Sequence, residues 1–302
     1  MRTMTAILGT LLLLSTSVMT AHAQLVITEP DLASGSQLIF YYDTREGFTT
    51  FVNIRSNVAE PITVQLDVWG PTFDEAAKLT KTFSFAPFAV RVIDIGALGT
   101  TDGLPAQQGI ALASILNDSG LPIHVRRGLF GNFTVANLAT GSAWGSPAAG
   151  RSVRSTADPT AEPADGTVVT QQGVHYQLIQ PNILTLATYY NPETLSPVED
   201  HGNQLIFVNF IDGIGTAPLT AESTTWDVNV TRGADGTPLI GTVDTAGVTE
   251  RDLVSVLGSE ANGASGGGTL TAGEGSVNAN RFVFFVQALG TFGTGYLLPS
   301  LE

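Results

Sequence analysis

Between Ile62 and Val68 the chain alternates without a break. Ile62, Val64, Leu66 and Val68 fall on one side of an extended backbone, and Thr63, Gln65 and Asp67 on the other. A period of two is the pattern of a half-buried strand, and β-branched residues suit its pleated surface. A helix would scatter the same apolar residues round its circumference. The flanking sequence repeats the style from Phe48 to Ile95. Thr49–Ile54 and Val90–Ile95 are strand-like, with a polar turn at 56–61 and Phe83–Phe88 leading into the last run. The expected fold class is therefore all-β, an immunoglobulin-like antiparallel β-sandwich grown around this unit.

The order of these three strands resembles that of bacterial exported immunoglobulin-like modules. The resemblance is one of style and covers residues 48–95. It implies a sheet-on-sheet core, here without the Cys…Trp…Cys signature, because the chain has no cysteine.

Residues 1–23 have the features of a secretory signal peptide: Arg2, an apolar run from Ala6 to Leu14, and Ala21-His22-Ala23 before Gln24. The run is too short to span a bilayer, and residues 24–302 hold no longer one. The expected localisation is export, to the periplasm, the cell surface or the medium. Without Arg2, twelve basic residues face twenty-seven acidic ones, a net charge of −15. That sign argues against nucleic acid as a partner. Lack of cysteine excludes thiol catalysis and cysteine-type zinc sites.

Further strands are expected at Gln37–Tyr42, Ile110–Leu116, Gly128–Leu138, Gln204–Ile211, Thr225–Thr231 and Arg281–Leu289. Gln204–Ile211 is apolar almost throughout and should be buried on both faces. Thr249–Leu257 is the best helix candidate, with Thr249 as cap and Gly258 as stop. Residues 96–108 and the Gly-rich 263–275 read as loops, the latter mobile. Residues 141–173 are rich in Pro, Ala, Gly and Thr and lack periodicity, so they read as a linker or a long loop. The expected organisation is a signal peptide at 1–23, an N-terminal sandwich at 24–140, the linker at 141–173 and a C-terminal β-rich domain at 174–302. Gly35–Phe40 recurs as Gly202–Phe207, and Phe51–Ile54 as Phe207–Phe210. The two offsets differ, whereas a duplication holds one offset throughout.

Few residues point to chemistry. Glu199-Asp200-His201 sets two carboxylates beside an imidazole and is the metal candidate. Trp144 lies where burial is not forced, near Arg151 and Arg154, and these three are the ligand-contact candidates. Gly263-Ala264-Ser265-Gly266-Gly267 matches a nucleophile-elbow pattern, but that motif needs a rigid strand–turn–helix. No cofactor is expected; calcium is the one that acid-rich β-loops can take, with Asp43/Glu46 and Asn117-Asp118-Ser119 as conceivable ligands. The expected function is that of a non-catalytic structural, adhesive or assembly component at the cell exterior. Its partners would be protein or glycan at the cell surface, or a second copy through a free sheet edge. A carbohydrate- or cation-binding module is the alternative, and a carboxylate-dependent secreted hydrolase the third reading.

Overall fold

The computed structural model describes residues 34–151, 153–155, 168–171, 174–190, 203–212, 218–273, 275, 279–289 and 292–301. The first part of the chain forms β1 (Ser34–Gly35), β2 (Gln37–Asp43), β3 (Phe48–Ser56), β4 (Ile62–Trp69), β5 (Leu79–Phe85), β6 (Val90–Asp94), helix α1 (Ile95–Asp102), β7 (Gln108–Leu116), β8 (Leu129–Asn137), β9 (Ser142–Pro147), β10 (Ala149–Arg151) and β11 (Val153–Ser155). There follow β12 (Val168–Gln171), β13 (Val174–Gln177), β14 (Ile183–Tyr190), β15 (Gln204–Ile211), β16 (Thr220–Ala221), β17 (Ser223–Arg232) and β18 (Pro238–Asp252). Helix α2 (Leu253–Leu257), β19 (Ser265–Ala272), β20 (Ala279–Leu289) and β21 (Phe292–Leu297) complete the described chain.

The strands make an all-β molecule of sheets packed on sheets. One large sheet runs β14-β19-β17-β18-β15-β20-β21-β9-β8-β3-β6, a second runs β10-β2-β7-β4-β5, and a three-stranded ribbon runs β11-β13-β12. In β4 the alternation is realised: Val64, Leu66 and Val68 are buried, while Thr63, Gln65 and Asp67 are half-buried. Among the described residues the pairings are antiparallel except that of β21 with β9, which is parallel.

The described residues form two apolar cores, and β15 and β20 serve both. Ile206, Val208 and Phe210, with Phe282, Phe284 and Val286, point into the core shared with β2, β4, β7 and β8. The alternate residues Leu205, Phe207, Val283 and Phe285 point into the core formed with β14, β17 and β19. Period-two geometry makes this inevitable for a strand between two layers, and it explains the near-continuous apolar sequence. Trp226, Val228 and Val230 line the second core from β17.

Four stretches differ from expectation, each for a tertiary reason. Residues from Thr249 to Asp252 stay in β18, where Thr249, Glu250, Arg251 and Asp252 pair with Phe207, Ile206, Leu205 and Gln204. Helix α2 starts only at Leu253, capped by the Asp252 carboxylate, which accepts from the Val254 N–H at 3.0 Å. Residues after Ile95 form α1 instead of a loop, with Asp94 accepting from Ala97 N–H at 3.1 Å and Gly103 closing the helix at φ 81°. Two glycines and two threonines hide this helix from propensity, but its caps are in the sequence.

The third stretch is the Gly-rich segment, which is strand β19, held between β14 and β17. A Cβ at Gly266, Gly267 or Gly268 would press into the carbonyls of Thr231, Ala187 or Asn229. Glycine here permits close packing rather than motion. The fourth is the start of the expected linker. Its residues 142–147 are β9, paired with β8 and β21, and residues 149–151 are β10, paired with β2. Residues 156–167 of that range lie outside the described residues, as does the leader at 1–23.

Candidate functional site

Trp144 does not project into solvent. Strand β9 carries it into the first core, where it is 5% exposed. It stacks on Tyr41 with ring centres 5.8 Å apart and meets the edge of Phe133 at 5.5 Å. Gly295 sits against its six-membered ring, and a Cβ there would lie 2.9 Å from Cε3. Only part of the indole reaches a cleft of about 840 Å³ lined also by Tyr41, Asp43, Arg45, Glu46 and Glu250.

Two guanidinium groups, Arg45 and Arg251, face four carboxylates, Asp43, Glu46, Glu250 and Asp252, along that cleft. Arg45 Nη2 lies 2.6 Å from Asp43 Oδ2 and 2.8 Å from Glu250 Oε2. The hydrogen bond to Asp43, first among several causes, raises the Arg45 pKa further. Burial holds the Tyr41 hydroxyl far above its ordinary range, and the neighbouring Glu250 and Asp43 carboxylates add to this. Tyr41 donates to Gln108 Oε1 at 3.3 Å.

Arg151 is also internal. Its guanidinium donates to Asp212 from Nη1 at 2.5 Å and Nη2 at 2.8 Å, and its Nε–H donates to Gln37 Oε1. Asn280 donates to Asp212 Oδ2 at 2.9 Å and accepts from Ile179 N–H at 3.1 Å. The ring of Tyr176 packs 4.3 Å from the guanidinium carbon. Both charged side chains are fully excluded from solvent. This bidentate, fully partnered pair ties β10 and β2 to the ends of β15 and β20, and it is a structural tie rather than a contact surface.

Arg154 lies on β11, with its side chain outside the described residues. Glu199, Asp200 and His201 lie outside them altogether. Among the described residues no three His, Cys, Asp or Glu side chains gather as a metal site. Asn117 Oδ1 accepts from the N–H groups of Ser119 and Leu121, both at 2.9 Å, which makes that segment an Asx turn. Ser265 is an exposed residue of β19, with no helix after it to form an elbow.

The feature that stands out is the solvent face of β6, β3 and β8. Register places Val90 beside Arg55, Val92 beside Asn53 and Asp94 beside Phe51. Across β3, Arg55 neighbours Phe130, Asn53 neighbours Asn132 and Phe51 neighbours Thr134. Val92 is 62% exposed, Val90 59%, and Phe51 and Phe130 36% each. Phe88, just before β6, is 54% exposed and holds a left-handed backbone at φ 56°. That conformation costs a non-glycine residue free energy while it presents the ring to water.

β6 is the terminal strand of the large sheet. Its two charged side chains are both diverted. Arg91 lies over the rings of Phe83 and Phe85, at 5.1 and 5.6 Å. Asp94 caps α1 and accepts from the Thr49 hydroxyl at 2.7 Å. Sequence reasoning missed this face because Val90 and Val92 look like core residues. Only the pairing of β6 with β3 shows which side they take.

No family model matches the chain, and no curated protein matches it.

Proposed function

We propose that the protein is an exported, non-catalytic component of the immunoglobulin-like sandwich type, acting by its surface in assembly or adhesion outside the cytoplasm. One observation carries this reading: the exposed apolar face on β6, β3 and β8, which belongs to no core. Val90, Val92, Phe51 and Phe130 are exposed there among Arg55, Asn53 and Asn132, and large apolar side chains gathered on one face in water mark contact sites. The signal-peptide features of residues 1–23 support export. The test is retention of the labelled protein by the surface of the cells that make it, with Val92→Asp as comparison. Equal retention of the two proteins, or none by either, rejects the reading.

The cleft beside Arg45 favours a second reading, a site for a carbohydrate or a cation. Glu46 adds a carboxylate at its rim, and Gln108 and Gln204 offer amides that could bind hydroxyl groups. A ligand selective for the native state at a hundred times its Kd adds about 2.7 kcal/mol. Melting curves with calcium, with chelator and with a glycan panel would show it as a rise of several degrees. Superimposable curves reject it. The hydrolase reading rests on Asp200 and His201 and is the weakest.

A further inference from the structure

We infer that the partner of the β6 face is a second copy of this chain, bound with the two β6 strands antiparallel about a two-fold axis at Val92. This deepens the surface reading above and rests on it. β6 is a sheet edge without the usual protection. On the companion edge, β5 turns Thr80, Thr82 and Ser84 outward, and its Lys81 is paired with Asp102 of α1 at 2.6 Å. Charges and polar groups on an edge discourage pairing with another chain. β6 instead exposes Val90 and Val92, and its charges are turned to Phe83, Phe85 and α1.

The register follows from the residues. Opposite residues of an antiparallel pair share a face. An axis at Val92 sets Val92 against Val92, Arg91 against Ile93 and Val90 against Asp94. An axis at Arg91 sets two guanidinium groups against each other, which is destabilising. An axis at Ile93 draws Ile95, the first residue of α1, into the ladder. With the axis at Val92, the outer row runs Arg55, Val90, then Asp94 of the other copy. The symmetric row repeats it in reverse. Two strand spacings, roughly 10 Å, separate those two backbones. An arginine and an aspartate reaching over one valine close that gap.

Charge singles out the same face. Each chain carries a net −14, so copies repel one another wherever carboxylates meet. On the outer side of β17 and β18 stand Asp227 and Asp244. On the β6 face Asp94 is a carboxylate engaged by α1 and Thr49, and Arg55 is there to balance it. A foreign strand would fit that edge as well, but a second copy sets its Asp94 opposite Val90, in the same row as Arg55, and the Thr49 and Ala97 contacts of Asp94 use only Oδ1.

The lack of cysteine makes the test direct. Val92→Cys introduces a single thiol, which meets its own copy at the axis. Leu138→Cys and Ile240→Cys are controls, since Leu138 and Ile240 are 69% and 67% exposed. Under mild oxidation Val92→Cys should form a disulfide-linked dimer at least tenfold faster than either control. Sedimentation equilibrium should show a reversible dimer whose dissociation constant rises at least tenfold with Val92→Asp and with Arg55→Asp. A concentration-independent monomer overturns the inference, as does cross-linking of Val92→Cys no faster than the controls. If a monomeric protein loses cell-surface retention with Val92→Asp, self-pairing falls and the surface reading stands. If the dimer forms but retention ignores Val92→Asp, the pairing stands and the surface reading falls.

Discussion

A buried arginine is tolerable only when its nitrogens are partnered, and all three guanidinium nitrogens of Arg151 donate, to Asp212, Gln37 and Asn280. Removing one partner strands the other charge in the interior. Asp212→Leu should therefore cost about 3–5 kcal/mol in a denaturant titration. Adding Arg151→Met to it should restore part of that loss, because desolvation of the charge disappears with the charge. A double variant less stable than the single one would contradict this account. Asp235 is a surface counterpart. Hydrogen bonds from Arg232 and then from the Thr237 N–H hold its pKa well below the ordinary carboxylate range. A depressed folded pKa gives stability that is complete above the unfolded value, near 4, and declines as pH falls through the folded one. The melting difference between wild type and Asp235→Asn should thus be constant from pH 7 to about 5 and close only in strong acid. Neither Asp212 nor Asn280 could be matched to Arg151 beforehand, since their partners lie 61 and 129 residues away.

At the scale of elements, local pattern and tertiary demand agree where alternation is strong and part where glycine is dense. β4 and β17 follow their period. β19 is legible only afterwards, because glycines read as freedom until neighbouring carbonyls are seen against them. Gly247 in β18 is the sharpest instance. Its φ is 60°, and a Cβ there would press into the Pro71 carbonyl oxygen. At this bend β18 leaves its pairing with β17, which ends at Ala246, while the pairing with β15 occupies Gly247–Asp252. Gly247→Ala should lose about 1–3 kcal/mol from backbone strain alone, read as a lower denaturation midpoint. An unchanged midpoint would mean that the bend relaxes freely.

At the scale of the whole molecule, β15 and β20 contribute side chains to both cores, so the two cores should unfold together. Residues 174–302 alone would leave Ile206, Val208, Phe210, Phe282, Phe284 and Val286 without their facing layer. Each such side chain loses about 1.5–3 kcal/mol of burial. The fragment should show no cooperative thermal transition, and the intact protein a single one by calorimetry. A sharp melt of the fragment would show that the halves fold independently.

The β class and most strand positions were legible in the sequence, because alternation acts over a few residues, whereas α1 was read as a loop. Trp144 and Arg151 were expected as ligand contacts in a linker, and the structure buries both, because their surroundings were not foreseeable. What neighbours them comes from β2, β15, β20 and β21, distant in the chain. Side-chain order along a strand dictates that alternate residues face opposite ways. It is the stacking of layers that decides which way meets core and which meets water, and so made Val64 internal while leaving Val92 on an open edge.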